Sequence, residues 1–120
     1  MAKFIVISSK TELLKVPSDR LMFITSDGNY SKVYTLDGKY RQVACQLGHL
    51  EDLIGKQLGE EETPFIRIGK SLIVNMDYIY LIDISEQAII VSDCQGQYHK
   101  LTASRKALLS VKFLIENIEQ

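Results

Sequence analysis

The chain has 120 residues and a mass of 13.6 kDa, enough for one domain with a core of its own. Hydrophobic residues make up 46% and charged residues 24%, ordinary globular usage that excludes disorder, collagen and coiled-coil rods. A net charge of −1 argues against gripping polyanions by bulk charge alone.

The charge is unevenly spread. Residues 1–50 carry seven basic and four acidic side chains, residues 51–62 one and five, and residues 63–120 six of each. An acidic connector therefore masks a mildly basic remainder, and a local positive face is compatible with the total. Apolar runs such as Phe4 to Ile7 and Ala88 to Val91 are four residues long, and none exceeds five. A bilayer span needs roughly 20 and a signal peptide a longer uninterrupted stretch, so a soluble, cytoplasmic protein without membrane contact is expected. In that setting Cys45 and Cys94 read as reduced thiols.

In chain order, β-rich segments at Phe4–Ser8 and at residues 12–16 flank a Ser-Ser-Lys-Thr turn, and Pro17-Ser18-Asp19 starts a helical turn before a strand over 21–25. After Ser26-Asp27-Gly28-Asn29 come strands over 30–36 and 40–45. Asp37-Gly38 between them is a hairpin signal, because glycine takes positive φ without steric cost. The period then changes. Leu47, Leu50, Ile54 and Leu58 recur at helical spacing, with Gly48 and Gly55 weakening the helix and the acidic run and Pro64 ending it. Phe65–Ile68 reads as a strand, Gly69-Lys70-Ser71 as a bend, and residues 72–76 as a short apolar segment of either type. Strands over 78–84, 88–94 and 98–101 follow, and then the clearest helix. Thr102 or Ser104 caps it, and Leu108, Val111, Ile115 and Ile118 form its stripe, broadened by Leu114.

Most catalytic and metal constellations find no support here. Cys45, His49, Cys94 and His99 could supply a tetrahedral zinc set, but each pair mixes ligand types where zinc fingers keep them apart. No nucleophile motif, P-loop or dinucleotide-binding glycine pattern is present, and the Asp-Gly turns lack the carboxylate series of a calcium loop. Neither enzyme activity nor a metal or other cofactor is expected. Three polar groupings remain, each at a strand end or helix start: Asn29-Tyr30-Ser31-Lys32, Arg67 with Lys70-Ser71, and Ser104-Arg105-Lys106. Mixtures of cation, hydroxyl and amide suit phosphate oxygens, and an arginine can add a bidentate bond to guanine. The third grouping sets basic side chains against a helix dipole, a conflict that a bound anion would relieve. Ordinary solvated turns are the competing explanation of all three.

Taken together the groupings resemble the LytTR family of bacterial DNA-binding domains, the output module of many two-component response regulators. The resemblance rests on the run from Leu21 to Tyr30, on Tyr34-Thr35-Leu36-Asp37-Gly38, on Leu47-x-x-Leu50-Glu51 and above all on the run from Phe65 to Ile79 with its Arg67, Lys70-Ser71 pair and Asn75. It covers about residues 12–118 in the family's order. The implied fold is mainly β with flanking α: small, mostly antiparallel sheets with one inserted helix and one C-terminal helix. Residues 1–120 are then a single DNA-binding domain without a receiver domain, and the leading Met-Ala-Lys favours a stand-alone regulator over the output half of a longer chain.

The resemblance also implies a mechanism, in which loops rather than a recognition helix enter successive major grooves of double-stranded DNA. Tyr30, Lys70 and Arg105 fall at the three groove-contact positions. Two residues depart from the pattern: Gly69 stands where the family often has His, and Tyr30 is neither basic nor an imidazole. Arg105 is expected to read a base, while Lys32, Lys70, Ser71, Lys106 and Asn29 serve as phosphate or groove contacts. Arg67 is divided between a phosphate contact and an intramolecular pair. Asn75 is expected to tie a turn together through its amide. The implied role is transcriptional regulation at direct-repeat sites, with a weak homodimer on DNA and a receiver or signalling protein as possible partners. A β-rich protein-interaction or ligand-sensing module is the alternative, supported by the near-zero net charge.

Overall fold

The computed structural model describes residues 3–61 and 63–119, the last by its backbone. Glu62 of the acidic connector lies outside the described residues. The chain divides into two compact units, residues 1–76 and 77–120.

The first unit begins with a hairpin of β1 (Phe4–Ser8) and β2 (Leu13–Pro17), followed by a 3-10 turn at Ser18–Arg20. Next come β3 (Leu21–Asp27), β4 (Tyr30–Thr35), β5 (Tyr40–Val43), helix α1 (Leu47–Leu58), β6 (Phe65–Ile68) and β7 (Leu72–Asn75). The ambiguous segment after Ser71 is thus a strand. The last five strands form one sheet in the order β5-β4-β3-β7-β6, every pair antiparallel. Alternation along the strands sends Ile24, Val33, Val43 and Ile73 to one face. There they meet Leu47, Leu50, Ile54 and Leu58 of α1 and Ile5, Ile7 and Val16 of the hairpin in one buried cluster. The spacing of four leucine and isoleucine positions on α1 is what lets a single stripe reach that sheet. Polar bonds seal the hairpin to the same helix. The Gln57 amide bonds both backbone groups of Val6, at 2.8 and 3.0 Å, and Lys3 Nζ donates to the Leu58 carbonyl at 2.9 Å.

On the other face Phe23 stacks on Tyr34, ring centroids 4.3 Å apart. The turn between β4 and β5 is closed by local chemistry. Asp37 accepts bonds from the Thr35 hydroxyl at 2.6 Å and the Lys39 N–H at 3.0 Å, and these hold its carboxyl below the usual range.

Opposite β4, β3 carries a register shift between Leu21 and Phe23, and its regular pairing with β7 runs no further than Phe23 and Val74. Asn75 repairs the ladder. Fully buried, it donates its side-chain amide to the Leu21 carbonyl at 3.0 Å. The expected structural role of Asn75 is met, although the group it ties is a strand bulge rather than a turn.

The second unit holds β8 (Ile79–Asp83), β9 (Ala88–Ser92) and β10 (Tyr98–Thr102) in an antiparallel sheet of order β10-β9-β8, followed by α2 (Arg105–Glu119). Both hairpins close on an aspartate. Asp83 accepts from the Ser85 hydroxyl and the Glu86 N–H, and Asp93 from the N–H groups of Gln95 and Gln97. Ala88, Ile89, Val91, Leu108 and Val111 are buried. The predicted stripe of α2 is buried only in its first half: Ile115 is partly covered, and Leu114 and Ile118 are 38% and 60% exposed. Periodicity identifies which face of a helix is apolar, not how far the covering surface extends. No helix among the described residues is long and apolar enough to cross a membrane.

Asn75→Ala removes the side-chain donor that bonds the Leu21 carbonyl and leaves that buried acceptor at the bulge without it. We expect a loss of about 1–3 kcal/mol, measured as a lower urea midpoint at unchanged slope.

Candidate nucleic-acid interface

The antiparallel registers of β3 bring two of the three polar groupings to one end of the five-stranded sheet. Asp27 pairs with Tyr30 across the β3–β4 turn, and Thr25 pairs with Leu72 just after the β6–β7 turn. Beyond that last pair the Ser26 N–H donates to the Ser71 carbonyl at 3.0 Å, which stitches the two turns together. Gly28 and Gly69 both lie at φ +63° with nothing within 4 Å of an added Cβ, so conformation rather than crowding calls for glycine. A side chain at position 69 would sit in a backbone conformation that L residues rarely adopt.

The side chains of these turns are presented as follows. Asn29, Lys70 and Ser71 are exposed, and Tyr30 is 48% exposed. Lys32 is partly covered, its Nζ 5.2 Å from the centroid of the Tyr40 ring, so the cation lies along the aromatic face of the sheet. Ser31 differs from its neighbours. The alternation of β4 turns it inward, fully buried, where its hydroxyl donates to the Cys45 carbonyl at 2.6 Å. It therefore anchors the approach to α1 and is not part of the exposed grouping.

Helix α1 braces both turns. Gln46, its N-cap residue, makes no capping bond with its side chain; instead Nε2 donates to Asn29 Oδ1 at 3.0 Å. One and a half turns further on, Glu51 Oε1 accepts from Arg67 Nη1 at 3.0 Å, while Nη2 of the same guanidinium donates to the Lys70 carbonyl at 3.0 Å. Of the two roles open to Arg67, the structure shows the intramolecular pair. The first turn of α1 contains no acidic residue, so its positive end is not neutralised from within the helix. The sequence assigns neither Gln46 nor Glu51 a place at the site. The one available signal was Glu51 following the Leu47-x-x-Leu50 spacing, and it reads equally as a solvated helix face.

The third grouping belongs to the second unit. Ser104 rather than Thr102 caps α2: its Oγ accepts from the Ala107 N–H at 3.1 Å, and its carbonyl accepts from Leu108 at 3.0 Å. Arg105 and Lys106 are exposed in the first turn, which has no acidic residue. The conflict between cations and helix dipole inferred from the sequence is therefore present. The cysteines and histidines do not gather: among the described residues no three His, Cys, Asp or Glu side chains are grouped as metal ligands. Burial pushes the Cys45 thiol above its usual range.

The family model for the LytTr DNA-binding domain matches residues 11–116 of this chain. Among solved structures, the LytTr DNA-binding domain of a Bacillus cereus protein described as a methyl-accepting/DNA response regulator is similar, with a TM-score of 0.64 and 18% sequence identity. The match covers 96% of this chain and 98% of that one, and at this identity it establishes the fold. No curated protein matches the chain in sequence.

Ser104→Ala removes the side-chain acceptor that caps the start of α2, where Arg105 and Lys106 already oppose the dipole. It should lower stability by about 0.5–2 kcal/mol, read from thermal or denaturant unfolding followed by circular dichroism.

Proposed function

Because the chain belongs to the LytTr family of DNA-binding domains, we propose that it recognises particular double-stranded sequences with loops that enter successive major grooves, and that it regulates transcription in the bacterial cytoplasm. Residues 1–120 work as one DNA-binding domain on direct-repeat sites, two copies adding their contacts through the shared duplex. The observation that carries the reading is the pair of exposed, glycine-hinged turns held side by side at one end of a sheet by the Ser26–Ser71 bond. Two narrow turns joined in this way form a rigid edge, and rigidity spares the ordering cost that a flexible loop incurs on binding.

Within that edge Tyr30 meets sugar or a thymine methyl, Lys70 and Ser71 meet phosphate or the groove, and Asn29 and Lys32 flank them. Arg105 reads a base, with Lys106 on the adjoining phosphate. The assignment of Arg105 is supported by its exposed place in an acid-free first helical turn, where a basic side chain costs helix stability unless an anion is near. Net charge −1 does not oppose this, because counterion release depends on the phosphates actually contacted and not on the protein's total charge.

Selection of bound sequences from a random duplex library, followed by a salt titration on the winner, tests the reading. A steep linear fall of log affinity with log salt is expected, whereas flat or absent binding would favour an interaction or ligand-sensing module. Arg105→Ala should cost about 1–3 kcal/mol on the selected site and blur one base position. Where Lys70 meets phosphate, Lys70→Ala should weaken selected and random duplexes alike and reduce the salt slope by about one; where it reaches into the groove, it should weaken the selected duplex more.

A further inference from the structure

We infer that Glu51, an acidic side chain, promotes selective DNA binding as a positioning residue, by holding Arg67 so that its guanidinium fixes the β6–β7 turn that presents Lys70 and Ser71. The inference rests on the DNA-binding reading and goes beyond it, since simple electrostatics assigns Glu51 the opposite sign. A carboxylate beside a DNA-facing edge repels phosphate, so an isolated surface glutamate there should weaken binding.

The geometry argues for a different role. Arg67 is the middle link of a chain that begins on α1 and ends on the turn: Glu51 Oε1 to Nη1 at 3.0 Å, then Nη2 to the Lys70 carbonyl at 3.0 Å. The guanidinium is planar, so fixing one amino group against Glu51 sets the direction of the other. Its Nη1 lies 3.7 Å from where a Cβ on Gly48 would stand, so it runs along the bare helix backbone at that glycine. The Arg67 side chain is only 26% exposed and the Glu51 side chain 48%. The pair is therefore partly shielded at the arginine, where holding a direction is worth most, and open at the glutamate.

The turn needs such a restraint. Gly69 has φ +63° and no side chain to pack, and Lys70 and Ser71 are exposed. Among the described residues, the bonds that tie it to its surroundings include Ser71 carbonyl to the β3 end and Lys70 carbonyl to Arg67. Without Glu51 the guanidinium keeps its charge and loses the partner that sets its direction, so its hold on the Lys70 carbonyl weakens while the interface loses a negative charge. Non-selective attraction to DNA and selective fit to a site should then move in opposite directions.

The test compares wild type with Glu51→Ala and Arg67→Lys on the selected duplex and on a random duplex, with amide hydrogen exchange of Lys70 and Ser71 read in the free protein. Alanine suits a helix interior and Glu51 is half exposed, so Glu51→Ala keeps the fold, which unfolding curves verify. For Glu51→Ala we expect random-duplex affinity to be unchanged or higher, selected-duplex affinity to fall, and the ratio of the two to drop roughly three- to fivefold, the span of a partly exposed ion pair. Exchange at Lys70 and Ser71 should quicken. Arg67→Lys, which keeps the charge and loses the fork, should lower the ratio similarly, and the double variant should add little. If Glu51→Ala tightens or weakens both duplexes by the same factor, Glu51 acts only as a surface charge and the inference is overturned. A wild-type protein that selects no duplex overturns the DNA-binding reading itself, and the role of Glu51 with it.

Discussion

Every feature of the proposed interface in the first unit depends on β3 pairing antiparallel with neighbours on both sides. Pairing with β4 places the Gly28-Asn29 turn at one end of the sheet, and pairing with β7 places the Gly69-Lys70-Ser71 turn beside it. Residues more than 40 positions apart in the chain therefore share an edge, joined by one backbone bond from Ser26 to Ser71. Because side chains alternate across a sheet, a slip of one residue in either pairing would exchange the core and solvent faces of a strand. The buried set Ile24, Val33 and Ile73 guards against that slip. Core packing and the alignment of the two turns are consequently one requirement, not two.

Polar contacts refine what the register sets. The Asn75 amide fills the gap left by the bulge at the start of β3, and Ser31, turned inward, anchors the backbone that leads into α1. From that helix Gln46 reaches the first turn and Glu51, through Arg67, the second. Helix α1 thus buries one stripe in the core and uses its polar flank to steady the loops. A net charge near zero is compatible with this arrangement, because acidic residues can serve as internal fasteners while the cations remain outward.

The second unit follows a simpler logic. Aspartate-closed hairpins give a small sheet, and a serine cap starts α2 with two exposed cations in its first turn. Its apolar side chains are only partly covered: Leu109, Phe113 and Ile118 are exposed beside a buried Leu108 and Val111.

Much of the fold was legible in the sequence because its signals are local. Asp37-Gly38 announces a hairpin by backbone conformation alone, the leucine and isoleucine spacing from Leu47 to Leu58 announces a helix, and the runs around them alternate as strands must. Exposure of Asn29, Tyr30, Lys70 and Arg105 was legible for the same reason, since turns and helix starts face water. What the tertiary structure alone decided is which distant groups meet. That Ser31 would face inward depended on the register of β4. That Arg67 would pair with Glu51 and Lys70 depended on the height at which α1 crosses the sheet, and that the stripe of α2 would be fully buried only as far as Val111 depended on the extent of its packing surface. Composition and spacing determine what each segment is, because those are nearest-neighbour matters of dihedral angle and periodicity. Pairings between segments are settled by packing, where the burial of Ile24, Leu50 and Ile73 outweighs any preference written in the turns themselves.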